Sequence, residues 1–270
     1  MADSYRSSIA AVRTGILAAL GCLASFTAQA STLSAIEQRG ELRVCHWPQY
    51  FSISFQDPRT GELQGVDIDM AYALSTDLGV KLTFVQTDFA NFIARLQAGD
   101  CDIAMMGVGV TPARQEDIDF SEPYLRSDIY FITTKANKAL QTVEDLDQPG
   151  VVISVQKGTY MEPFALDYFK NATISVVSRP SEREVEVETG RADAFATDYP
   201  YSQRMLNNTD WARVIKPTTE LKTTDYAYAV RKNDPQWLAI INDFVQRIKS
   251  DGRLAQSAKQ HNLAPIVLKD

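Results

Sequence analysis

The sequence predicts an α/β protein built from two similar half-units with mostly parallel sheets. Three observations point there. Short apolar strand segments alternate with amphipathic helical segments along the chain. Glycine closes several helical segments, at Gly79, Gly99 and Gly190. One local pattern occurs twice, as Gln97-Ala-Gly-Asp-Cys-Asp-Ile-Ala-Met and as Glu188-Thr-Gly-Arg-Ala-Asp-Ala-Phe-Ala. Each copy holds a helix stop at Gly, an Asp opening a buried strand, and then a polar residue at a helix start (Thr111, Asp198). Two half-units of this kind place ligand loops at the carboxyl ends of both sheets, with a cleft between them.

The elements follow in order. Leu33–Gly40 is a helical lead-in and Glu41–Cys45 a strand. His46–Phe55 is an aromatic-rich loop, and Asp57–Gly61 a turn. Val66–Leu78 is an amphipathic helix, with Val66, Met70, Ala73, Leu74 and Leu78 on one face. Val80–Val85 is a strand and Asn91–Ala98 a helix. Asp102–Met106 is a strand, loosened into a turn at Gly107 and Gly109. Thr111 then caps a helix whose first position suits Pro112. Ile129–Thr134 runs extended, and Thr142 caps a short helix. Val151–Val155 is a strand, followed by a turn at Lys157–Tyr160 and a helix from about Glu162 to Phe169. Ile174–Val177 is a strand, and Ser181 caps a helix to Thr189. Asp193–Ala196 is a strand, with Asp198 and Pro200 opening the next helix. Trp211–Ile215 and Tyr226–Arg231 are strands, and Pro235–Ser250 and Arg253–His261 helices.

The chain has 270 residues, 45% of them hydrophobic, enough for a sizeable core. A net charge of −7 leaves no basic footprint for nucleic acid. The N-terminus reads as an export signal. Arg6 and Arg13 are its positive region, Gly15–Phe26 its apolar region, and Ala28-Gln29-Ala30 the cleavage site, with cleavage after Ala30. A rival reading makes Cys22 a lipidated residue. The exported chain is expected in the periplasm. Cys45 and Cys101 would then meet an oxidising compartment, where a disulfide and two small buried side chains are both open readings. The strand positions count against a bridge, because Cys45 is late in its strand and Cys101 precedes its own.

No catalytic or nucleotide-binding motif occurs, and two histidines, His46 and His261, make a metal site improbable. No cofactor is expected. What is present suits a zwitterion. Arg114 sits in a first helical turn, where the helix dipole does not favour a cation, and its fork suits a carboxylate. A surface arginine answering Glu116 or Asp117 is the alternative. Asp198 offers an acceptor for an ammonium, or simply a helix cap. Trp47, Tyr50 and Phe89, on loops after strands, suit stacking or loop packing.

These residues resemble a known family. Gly40-Glu-Leu-Arg-Val, Gly61-Glu-Leu-Gln-Gly-Val-Asp-Ile-Asp-Met-Ala, Leu96-Gln-Ala-Gly-Asp-Cys-Asp-Ile-Ala, Thr111-Pro-Ala-Arg, Phe120-Ser-Glu-Pro-Tyr, Gly158-Thr159 and Gly190-Arg-Ala-Asp-Ala-Phe-Ala-Thr-Asp together look like the polar amino-acid-binding proteins of ABC importers, solute-binding family 3. The resemblance implies a type II periplasmic binding fold: two α/β lobes with mixed, mostly parallel sheets, hinged by two strands. Lobe I would span residues 31–132 and 226–270, and lobe II residues 133–225. The crossings would fall near Ile132–Lys135 and Thr224–Tyr228. It further implies a monomer that carries a small carboxylate-bearing solute, an amino acid, to the transmembrane subunits of a permease. Arg114 would take the α-carboxylate and Asp198 the α-amino group. Gly107 would offer backbone contact, with Gly109 beside it. Tyr50 and Phe89 would wall the ligand, and Thr159 would supply the Gly-Thr turn. Gly109 departs from the usual Ser or Thr, Tyr160 from a small polar residue, and the usual Lys-Trp ending is missing. Exported cyclohexadienyl dehydratases look similar too. That alternative makes Glu162 the catalytic acid, and its bland reading is a helix N-terminal glutamate. A third reading, a solute-binding partner of a periplasmic oxidoreductase or sensor, rests on the two cysteines.

Overall fold

The computed structural model describes residues 31–269. The expected export signal, its cleavage after Ala30 and the rival reading of Cys22 lie outside the described residues. The first run of elements is α1 (Thr32–Arg39), β1 (Glu41–His46), β2 (Gln49–Tyr50), β3 (Ser54–Gln56), β4 (Leu63–Gln64), α2 (Val66–Leu78), β5 (Lys81–Gln86), α3 (Phe92–Ala98), β6 (Ile103–Gly109), α4 (Pro112–Asp117), β7 (Ile118–Phe120) and β8 (Leu125–Ser127). Then come β9 (Tyr130–Thr134), β10 (Val152–Gln156), α5 (Met161–Tyr168), β11 (Thr173–Val177), α6 (Pro180–Glu188), β12 (Ala194–Thr197), α7 (Tyr199–Asn208), β13 (Ala212–Ile215), β14 (Thr224–Arg231), α8 (Pro235–Ser250) and α9 (Arg253–Gln260).

These strands form two large open sheets. One runs β5-β1-β6-β14-β7, with β8 also on β14; the other runs β11-β10-β12-β9-β13. The plan is the same in both. Three parallel strands are extended by an antiparallel one, β14 on β6 and β9 on β12. The chain passes between sheets at residues 128–129 and again at 216–223, so the boundaries expected at 132/133 and 225/226 fall inside β9 and β14. Apolar alternation marks a strand but not the sheet it joins.

The sequence echo has a structural basis. Asp102 exchanges backbone hydrogen bonds with Arg43 on β1: its N–H donates to the Arg43 carbonyl at 2.8 Å, and its carboxylate accepts the Arg43 N–H at 2.8 Å. Asp193 does the same with Val152 on β10, at 2.8 and 2.9 Å. Each aspartate thus locks the entry of a central strand to its parallel neighbour, where the ladder has not yet begun. The helices that follow are also alike. Thr111 Oγ1 accepts the Arg114 N–H and Asp198 Oδ1 the Tyr201 N–H, with Pro112 and Pro200 in the first turns.

Three local expectations change. The Gly107–Gly109 stretch is strand rather than turn, and β6 is buried throughout. The aromatic loop folds into a small antiparallel sheet, β2-β3-β4. Helix α6 starts one residue before Ser181, at Pro180, because the Glu182 carboxylate takes the Ser178 and Arg179 N–H groups. Of the two open readings for the cysteines, the disulfide holds: Cys45 is late in β1 and Cys101 precedes β6, yet their Cα atoms lie 5.6 Å apart and the two are bonded. Both cysteines are fully buried in the first lobe's core.

The bridge spans a sequence separation of 56 residues. Loop closure of that length stabilises a fold by about 4 kcal/mol in the chain-entropy model. We expect the double substitution Cys45→Ala, Cys101→Ala to lower unfolding free energy by about 2–4 kcal/mol in denaturant titration. An unchanged midpoint would show that the bridge carries no stability.

Candidate functional site

The carboxyl ends of the parallel strands in the two sheets face one another across a cavity of about 20 Å³. Of the residues expected from sequence, Tyr50, Phe89, Gly107, Arg114, Thr159 and Asp198 line it, with Trp47 beside them. Gly109 does not line the cavity, but its carbonyl accepts Arg114 Nη1–H at 2.7 Å. Glu162 does not line it either. Its carboxylate turns back to accept the Gly158 N–H at 2.7 Å and so pins the Gly158-Thr159 turn. His46 packs edge-on against Phe84, outside the lining. Burial pulls its imidazole down to about 4, leaving it neutral at physiological pH. His261 lies with Asp69, at 2.9 Å. Among the described residues, no three His, Cys, Asp or Glu side chains are grouped to hold a metal ion.

Arg114 is the buried cation of the first lobe, only 8% exposed, contrary to the surface reading. Pro112 and the Thr111 cap start its helix at the strand end, so the side chain turns inward over the rings of Phe89 and Phe92, at 5.7 and 5.5 Å. Its Nη2–H donates to the Gly158 carbonyl of the second lobe at 2.9 Å. Among the described residues it has no carboxylate partner. Desolvation brings it down to about 10, which leaves it charged at neutral pH.

Asp198 is the facing acid. Tyr50 and Tyr226 both donate to its Oδ2, the latter at 2.6 Å, and the Tyr201 N–H reaches Oδ1 at 3.2 Å. Burial raises its carboxyl, and these donors with Arg183 oppose the rise. Tyr160 closes the cluster, its hydroxyl 3.2 Å from that of Tyr226. Two departures from the family pattern now share one cause. A Cβ at Gly109 would lie 3.0 Å from Tyr160 Cδ1 and 3.0 Å from Thr224 Cγ2, so the ring occupies the space a Ser or Thr side chain needs. Gly158 is constrained similarly: its φ is +80°, and a Cβ would come 2.8 Å from the Ala90 N of the opposite lobe.

Sequence reading missed Gln156, Met161, Arg183, Thr197 and Tyr201 in the lining, and Tyr226 behind it. Gln156 ends a strand and Tyr201 follows the Asp198 cap, positions matching those of residues that were found. Arg183 lies in a helix of alternating charges and carries no sequence signal.

Asp67 supports the site from behind. It accepts the Gly107 N–H and the Tyr124 hydroxyl, each at 2.7 Å, and holds the backbone of Gly107 at φ +62°. A Cβ there would fall 2.8 Å from Tyr50 Cε1. Burial raises the Asp67 carboxyl to about 7.

Two lobes of like plan, facing each other over a buried cation and a buried acid, define a solute-capturing protein of the clamshell kind. The comparisons agree. The model for bacterial extracellular solute-binding proteins, family 3, matches residues 42–264, and the chain belongs to that family. It is 36% identical over 189 residues to the cyclohexadienyl dehydratase of Pseudomonas aeruginosa, covering 68% of this chain and 70% of that one. It is 26% identical over 241 residues to an ABC transporter glutamine-binding protein of Bacillus subtilis, covering 88% and 86%. Among solved structures it is similar to an ancestral amino-acid-binding protein described as a precursor of cyclohexadienyl dehydratase. The TM-score is 0.79 at 35% identity, covering 85% of this chain and 99% of that one. An arginine-bound ABC transporter substrate-binding protein of Streptococcus pneumoniae gives a TM-score of 0.78 at 28% identity, covering 86% and 98%.

Asp67 yields a pH prediction. An unfolded aspartate titrates near 3.9, so between about pH 4 and 7 the folded chain holds a proton the unfolded chain has lost. Its contribution to stability is complete below about pH 4 and is lost as pH rises through about 7. We expect the Tm of wild type, relative to Asp67→Asn, to fall between pH 4.5 and 8, by an amount on the order of 2–4 kcal/mol in stability. A flat or rising difference in paired melting curves would contradict the raised carboxyl.

Proposed function

We propose that this protein captures a small carboxylate-bearing solute, an amino acid, between its lobes in the periplasm and delivers it to an ABC permease. The observation that carries the reading is Arg114: a buried guanidinium at the cleft, bonded to backbone carbonyls and with no carboxylate partner among the described residues. A ligand carboxylate gives it the bidentate partner its fork fits. Asp198, across the cavity, is the acceptor for an α-ammonium, which would share it with or displace the Tyr50 and Tyr226 hydroxyls. A cavity of about 20 Å³ has room for roughly one water. Solute entry therefore requires the lobes to part at the two crossings and the tyrosines to swing. Family membership and the amino-acid-binding relatives support the same reading.

The dehydratase relative favours a second reading, turnover of prephenate or arogenate. Glu162, committed to the Gly158 N–H, is poorly placed as its acid, and Asp198 is the carboxylate that faces the cavity.

Thermal shift and calorimetry against amino acids and organic acids test the main reading, because a true ligand raises stability by RT ln(1 + [L]/Kd). We expect Arg114→Ala to weaken the best carboxylate ligand by 10- to 100-fold or more, the loss of a charge-assisted pair worth about 1.5–3 kcal/mol. Unchanged affinity would remove Arg114 from the site. Steady release of phenylpyruvate from prephenate by wild type would replace capture with catalysis.

A further inference from the structure

We infer that the captured solute carries a second anionic group, received by Arg183 on the second-lobe side of the cavity. The inference rests on the capture reading above and narrows its ligand to dicarboxylates and acidic amino acids.

Arg183 projects from α6, is only 3% exposed, and lines the same cavity as Arg114. Its one hydrogen bond runs from Nη1–H to the Ala196 carbonyl at 2.8 Å. Its Nε–H is buried with no acceptor among the described residues. The guanidinium lies over the rings of Tyr201 and Phe195, at 4.8 and 5.2 Å, which fix its plane without neutralising it.

Acids are close by in sequence but engaged elsewhere. Glu184 takes Arg204 and the Tyr201 hydroxyl, Glu182 caps its own helix with Arg179, and Glu186 pairs with Arg191. Among the described residues no carboxylate lies within ion-pair distance of Arg183. Burying a guanidinium this way is costly unless something pairs with it. Gln156, 2% exposed and also in the lining, has a side-chain oxygen with no donor and makes no side-chain hydrogen bond. Its amide can add an N–H donor beside Arg183.

The charge inventory agrees. The lining holds two guanidiniums and one acid, and that acid already accepts three hydrogen bonds. A neutral zwitterion would satisfy Arg114 and take Asp198 for its ammonium, leaving Arg183 with only the through-space pull of Asp198 and no carboxylate in direct contact. A cationic side chain would face it directly. A second carboxylate supplies the missing partner with bidentate geometry.

The test is calorimetry on the exported chain with paired probes: L-glutamate against L-glutamine, L-aspartate against L-asparagine, then succinate and L-arginine. Each acid and its amide share size and shape, so their ratio reads the second charge alone. We expect the better acid to bind at least 10-fold tighter than its amide, and Arg183→Met to collapse that ratio towards one. Equal or tighter binding of the amides, or of arginine, overturns the inference and leaves solute capture standing. Binding of succinate but of no amino acid supports the inference and overturns the amino-acid reading. Binding of none of the probes overturns the inference and leaves solute capture to the wider amino-acid and organic-acid screen above. The wild-type ratio needs no variant, so it holds even if Arg183→Met fails to fold. A preserved ratio in a folded Arg183→Met removes Arg183 from the second-anion role.

Discussion

The contact on which the cleft depends is the one Arg114 makes to both lobes. Nη1 holds the Gly109 carbonyl of its own sheet and Nη2 the Gly158 carbonyl of the other. A buried guanidinium needs acceptors, and backbone carbonyls at two strand or turn ends are the ones on hand. Such bonds give less than a carboxylate would, so on the proposed capture reading a ligand carboxylate takes over part of the fork. Around this contact the backbone has little freedom. Asp67 fixes Gly107, Glu162 fixes Gly158, and the absence of a Cβ at Gly158 lets it sit against Ala90. The residues that would be catalytic or ligand-binding by analogy thus divide into those that face the cavity and those that hold its walls.

The same reasoning explains why the two lobes share a plan. A parallel sheet needs its central strands joined at the entry as well as along the ladder. Asp102 and Asp193 make that join identically, with one carboxylate and one N–H on the neighbouring strand. At the opposite end, a capped helix with proline in its first turn directs a side chain over the strand tips. Arg114 and Asp198 therefore meet at one place because both half-units present the residues after their third parallel strand to the same cleft.

Much of this was legible in the sequence. The Gly–Asp–strand–cap pattern marked both helix starts that carry Arg114 and Asp198 to the cavity, because capping and helix-start preferences are local and leave signals in adjacent residues; the roles expected of the two came from the family resemblance. The strands and helices of the two runs follow for the same reason. What was not legible depends on contacts distant in sequence. The cystine rests on how the fold brings Cys45 and Cys101, 56 positions apart, to 5.6 Å at Cα. The crossing points depend on which sheet accepts β9 and β14, which no periodicity encodes. Arg183 is surrounded in sequence by glutamates, so it reads as one charge of a solvated helix face; only the fold shows that those glutamates point to other partners. Tyr226 reads as an ordinary inward strand residue until Asp198, 28 positions earlier, arrives beneath its hydroxyl.

The tyrosines set the polarity of the cleft. Family members with a hydroxyl at position 109 and a small residue at 160 would place short donors near the ligand. Here Gly109 and Tyr160 exchange those roles, and a ring fills the volume the missing side chain leaves. The cleft becomes apolar around a few strong polar groups, with Tyr50, Tyr160 and Tyr226 joined in one hydroxyl network ending on Asp198. In such low-dielectric surroundings each unpaired charge weighs more than it would in a wet cleft. Selection among solutes then rests on charge count more than on shape. On the proposed capture reading, two cations fixed on opposite lobes favour the ligand that can neutralise both.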